Sequence, residues 1–142
     1  MRQFKRWVIL VFLFAGVSGA GAEDKGERLP QVPTEGMVTM VDLGAHKCIP
    51  CKMMAPILKK LKKQYEAKAS IIFIDVWQHR EQAQKHAIRT IPTQIFFDKT
   101  GHEVYRHEGF MSEEAIIEQL AEMGVDRLAK NDAKNAAKNI TR

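Results

Sequence analysis

Two cysteines in 142 residues are too few for a disulfide scaffold, and aromatic residues make up only 8% of the chain. Five prolines and nine glycines, without periodic placement, exclude a collagenous or low-complexity chain. Long hydrophobic runs are confined to the extreme N-terminus, so a polytopic membrane protein is not expected. No internal repeat is visible. What is present is 45% hydrophobic and 27% charged, which is one domain's worth of chain with enough apolar side chains for a single core.

The formal charge of +5 points toward nucleic acid or a membrane surface until its location is read. Arg2, Lys5 and Arg6 open the chain, Val8 to Gly16 is unbroken apolar sequence, and Ala20-Gly21-Ala22 ends a stretch of small residues. A basic start, a short apolar segment and a small-x-small end predict a secretory signal over 1–22, cleaved after Ala22, and hence an exported, periplasmic protein. An uncleaved anchor with the domain outside is the alternative. Removing that segment takes away three basic and no acidic side chains and leaves a charge of +2, so no nucleic-acid partner is expected.

Residues 23–36 are polar, carry Pro30, Pro33 and Gly36, and read as an extended leader. Met37 to Leu43 has the apolar run of a strand buried on both faces. Lys52 to Ala67 places Met53, Met54, Ile57, Leu58, Leu61 and Tyr65 at helical spacing, with lysines on the opposite, solvated face. Pro56 lies within it and removes an amide donor, which predicts a kink. Ser70 to Val76 is a second strand, Glu81 to Ala87 a short helix and Thr93 to Phe97 a third strand. The turn Asp98 to Gly101 leads into an antiparallel hairpin partner, His102 to His107. Ser112 caps a final helix carrying Ile116, Ile117, Leu120 and Met123, with Gly124 as its stop. Residues 125–142 read as a polar tail, and its Asn139-Ile140-Thr141 triplet is assigned no role. This order predicts an α/β fold over 37–124: two βαβ crossovers and a terminal hairpin, giving a mixed central sheet with helices on both faces.

The chemistry concentrates at Cys48 and Cys51, three apart where a buried strand gives way to a helix. That spacing allows a disulfide within one helical turn. Unpaired amides at the helix start favour an anion, which makes Cys48 the candidate thiolate. The macrodipole supplies only about 0.3 to 1 kcal/mol, whereas lowering a thiol from about 8.5 to about 7 takes roughly 2 kcal/mol. Local amides, the second thiol and the charge of Lys47 have to supply the remainder. A metal site would need to recruit His46 and a further ligand, and no metal is expected. Covalent haem would require histidine where Lys52 stands. A purely structural disulfide would close too short a loop to stabilise the fold much.

The run Val41-Asp42-Leu43, then Cys48-Ile49-Pro50-Cys51-Lys52-Met53-Met54-Ala55-Pro56, then Ile91-Pro92-Thr93 and Gly109-Phe110, resembles the thioredoxin family. The resemblance covers Met37 to Gly124 and implies a thioredoxin-like fold, with a first βα unit that is missing or reduced to an edge strand at Arg28 to Val32. It implies a thiol–disulfide oxidoreductase needing no cofactor beyond the redox-active pair, with Cys48 as nucleophile and Cys51 as resolving thiol. Pro92 would be a cis-proline that leaves the backbone of Ile91 free to pair with an extended substrate segment. Asp42 would be the buried proton acceptor for Cys51.

The chain also departs from the family. The lysine that attends the family aspartate is replaced by Phe73, and tryptophan and glycine beside the first cysteine are replaced by Lys47 and Ile49. The last two are expected to bear on substrate choice and, through Lys47, to favour the thiolate and raise the potential. The expected activity is reduction of protein disulfides by a monomer recharged by a membrane electron donor. A disulfide oxidase or isomerase, a non-catalytic peptide-binding module and a metal carrier are the alternatives.

Overall fold

The computed structural model describes residues 29–127. The segment expected to be a signal, residues 1–22, residues 23–28 of the expected leader and the expected tail from residue 128 on lie outside them.

Seven elements follow in chain order: β1 (Val38–Gly44), α1 (Ile49–Gln64), β2 (Ala69–Asp75), α2 (Arg80–Lys85), β3 (Thr93–Phe97), β4 (Glu103–Glu108) and α3 (Glu113–Glu122). They form a four-stranded mixed sheet in the order β2-β1-β3-β4. β1 pairs parallel with β2 and antiparallel with β3, and β4 pairs antiparallel with β3. Only the first connection is therefore a βαβ crossover. The second of the two expected crossovers is corrected: β3 runs opposite to β2 and joins the far edge of β1. An apolar strand pattern specifies burial but not direction, so the sequence could not distinguish these.

Strand alternation divides the core in two. Val38 and Met40 of β1, Ala69 and Ile71 of β2 and Phe96 of β3 pack with Met54, Leu58 and Leu61 of α1 and Ile116 and Leu120 of α3. Val41, Leu43, Ile72, Ile74, Ile95 and Phe97 form the other layer, against which Ala83 of α2 is packed. Helices thus cover both faces, and β1, with a neighbour on each side, is buried at every position. The packing reaches beyond 37–124 at both ends, since Val32 and Val125 are both buried in the core. Among the described residues no strand or helix precedes β1, and no strand occupies residues 29–32.

α1 starts three residues earlier than its apolar periodicity indicates, and it runs through Pro56. Its buried stripe is Cys51, Met54, Leu58 and Leu61, continued by Tyr65; Met53, expected on that stripe, is exposed. α3 is capped as expected by Ser112, whose hydroxyl accepts from the Ala115 amide, and Glu113 pairs with Lys60 of α1 at 2.7 Å.

Candidate active site

The end of β1 places the cysteines. After Gly44 the chain makes a short turn, and Cys48 becomes the N-cap of α1 with extended backbone, followed by Pro50 in the first turn. Proline suits that position because its missing amide would have no helical partner there. Cys48 and Cys51 are joined as a disulfide, with Cα atoms 5.2 Å apart. The Cys51 amide points at Cys48 Sγ at 3.4 Å, the contact that would stabilise a thiolate at this end of the helix. The two sulfurs are not equivalent, because Cys48 is partly exposed whereas Cys51 is only 3% exposed.

Lys47 and Ile49, which flank Cys48, both face solvent, Ile49 at 75% exposure. The turn before them is held by Asp75 at the end of β2. Its carboxylate accepts from the backbone amides of His46, Trp77 and Gln78 and meets His46 Nδ1 at 2.5 Å. Burial raises the carboxyl of Asp75, but these hydrogen bonds, led by those from His46, overcome that and leave it below the usual carboxylate range. The His46 ring also stands edge-on to Phe73, centroids 5.0 Å apart. A cavity of about 410 Å³ opens beside Cys51, with His46, Lys52, Ala55 and Phe73 in its walls. A larger one, about 780 Å³, follows β2 past Lys59 and Lys63 and contains neither cysteine.

Beneath the start of α1, Asp42 is completely buried in β1. It stands opposite Phe73 of β2 and opposite Gln94 of β3, so the three side chains share one row across the sheet. Gln94 Nε2 donates to Asp42 Oδ1 at 2.6 Å. Burial pushes the Asp42 carboxyl up to about 6, against the opposing pull of that hydrogen bond.

The Ile91–Pro92 peptide bond is cis, as is Val32–Pro33. Thr93 is in register with Leu43, which puts Pro92 level with Gly44 at the end of the sheet where the chain departs for Cys48. The Pro92 carbonyl accepts from the Gly109 amide at 2.8 Å, with Gly109 at φ +97°, where glycine is favoured. Ile91 is partly buried and makes no backbone–backbone hydrogen bond among the described residues, so its peptide groups remain available to an extended chain.

The structure therefore gathers Cys48, Cys51, Pro92, Ile91, Lys47 and Ile49 at one end of the sheet, with Asp42 below. Sequence reasoning missed Gln94 and Asp75. Gln94 carried a signal as the one amide in a strand whose three following residues, Ile95, Phe96 and Phe97, are apolar, and Asp75 as an acidic residue closing a strand before a turn. Among the described residues no cluster of three potential metal ligands occurs.

A helix-capping dithiol at the end of a central strand defines a thiol–disulfide oxidoreductase. The Thioredoxin family model matches residues 30–122. A thioredoxin of Staphylococcus aureus is 42% identical over 86 residues, covering 61% of this chain and 82% of that protein. Among solved structures, Fasciola hepatica thioredoxin superposes with a TM-score of 0.57 at 30% identity, covering 63% of this chain and 83% of that one. The germline-specific thioredoxin Deadhead of Drosophila melanogaster gives 0.56 at 26% identity, covering 61% and 81%. The chain belongs to the thioredoxin family.

Proposed function

We propose that this protein is an exported reductase of protein disulfides. Cys48 thiolate attacks a partner disulfide and expels one partner thiolate, leaving a mixed disulfide. Cys51 loses its proton to Asp42 and attacks Cys48 Sγ, expelling the second partner sulfur. The partner gains two electrons and the enzyme is left with the Cys48–Cys51 disulfide. The observation that carries this reading is the asymmetry of the pair: an accessible sulfur at the helix cap and a covered one above a buried carboxyl that ionises above about pH 6. Ile91 and Pro92 supply the groove that receives an extended substrate segment, and exposed Lys47 and Ile49 favour substrates with acidic and apolar surface beside the cystine.

The basic, apolar and small segments of residues 1–22 support export to a periplasm, where a monomer would be recharged by a membrane electron donor. The test is a Cys51→Ser variant in the native compartment. It should accumulate covalent complexes through Cys48 that dissolve in reductant, and intact mass should show a chain beginning at Glu23. Non-covalent association unchanged by the substitution would mean a binding module instead. A reduction potential of about −230 mV or lower supports a reductase, whereas one near about −120 mV would make the protein an oxidase.

A further inference from the structure

We propose that Gln94 is a positioning residue for the redox reaction: its side-chain amide holds the carboxyl of Asp42 in both protonation states and so sets when Asp42 can take the proton of Cys51. This rests on Asp42 being the proton acceptor proposed above.

Gln94 is a primary amide buried in a strand whose other members are Thr93, Ile95, Phe96 and Phe97. Such a group is costly to bury unless its hydrogen bonds are met. Its Nε2 meets Asp42 Oδ1 at 2.6 Å, and one buried oxygen on each partner, Asp42 Oδ2 and Gln94 Oε1, has no hydrogen bond among the described residues. Two joined groups that each keep an orphan acceptor lack one donor between them. A proton on Oδ2 is that donor, because a carboxylic acid and a primary amide are complementary: the acid O–H donates to the amide oxygen while the amide N–H donates to the other carboxyl oxygen. On ionisation the Nε2–H bond remains and becomes charge-assisted.

The elements around the pair offer little else to hold this carboxyl. β2 presents only Phe73. β4 presents His107 opposite Gln94, with its Nε2 at 3.2 Å from the Phe110 carbonyl oxygen. The start of α1 brings Cys51 and Lys52, and α3 contributes apolar Ile116 and Leu120 to this face.

The experiment compares wild type, Gln94→Met and Gln94→Glu. It follows the Asp42 carboxyl by carbon-13 NMR in the oxidised protein, and the pH profile of mixed-disulfide resolution by Cys51 in the reduced one. Gln94→Met removes both contacts at similar volume, and the charge-assisted one lost from the carboxylate is the stronger. The Asp42 titration should therefore rise by about one pH unit, and resolution near pH 6.5 should slow by about threefold with little change at pH 8.5. Gln94→Glu keeps size and polarity, places a second acid against the first and should raise the titration further; it reads the same contact if Gln94→Met does not fold. An Asp42 titration unmoved in the folded variants overturns the proposal. A titration that moves while the resolution profile stays fixed upholds the hold of Gln94 on the carboxyl and overturns Asp42 as proton acceptor.

Discussion

Gly44 leaves no room for a side chain beside Cys51 where β1 ends and α1 begins: a methyl group on Gly44 would stand 3.2 Å from Cys51 Sγ and 3.1 Å from the Phe73 ring. In the oxidised protein Cys51 Sγ is tied to Cys48 and cannot swing aside, whereas the reduced side chain can rotate. Gly44→Ala should therefore destabilise the disulfide form more than the dithiol, by about 1 kcal/mol, and raise the reduction potential by roughly 20 mV. Equilibration with a glutathione buffer and thiol trapping measures this, and an unchanged potential would place the crowding elsewhere.

Asp42 weakens the fold near neutrality. The folded protein keeps the proton up to about pH 6, while the unfolded chain releases it near 3.8, so stability falls as pH rises between those values. The full cost above pH 7 is about 3 kcal/mol. Asp42→Asn, which presents an amide in place of the neutral acid, should be more stable than wild type by about 2–3 kcal/mol at pH 8, and the advantage should vanish below pH 4. Denaturant unfolding across that range decides it; a gap that does not vary with pH would remove the buried carboxylate as its cause.

The opposite sign holds for Asp75, whose hydrogen bonds, led by those from His46, lower its carboxyl despite burial. Its contribution to stability is present above the ordinary carboxylate range and disappears as pH falls through the depressed folded value. Asp75→Ala leaves the backbone amides of His46, before α1, and of Trp77 and Gln78, after β2, without their acceptor and should cost about 2–3 kcal/mol at pH 7, read from thermal or urea unfolding.

Ala67, exposed just after α1, has φ +62°. A Cβ is unfavourable in that left-handed conformation, so Ala67→Gly should raise stability by about 0.5–1 kcal/mol, less whatever the unfolded chain gains in entropy. A loss on substitution would show that the Cβ makes a contact worth more than the backbone relief.

The dithiol, the strand before it and the amphipathic α1 were legible because each leaves a local mark: cysteine spacing, an uninterrupted apolar run, and buried positions at helical intervals. The outward placement of Met53 was not, since the apolar stripe from Met53 to Tyr65 is wide enough that its edge residue can face either way without changing the pattern. The reversed direction of β3 depends on which edge of β1 it joins, a relation between residues some fifty apart. Gln94 escaped notice for the same reason, as its meaning comes from the residue opposite it on another strand. Asp42 could be singled out only through the family resemblance, and its raised titration follows from a burial that the apolar strand around it already implied.

The strand that delivers the chain to the dithiol has a companion along each margin and no solvent-facing position. The sulfur proposed to attack thus stands four residues beyond a strand held along both edges, and the exchange of two electrons is confined to atoms outside that strand. A partner must consequently distinguish the charged from the spent protein by the chemistry of two sulfurs rather than by its outline.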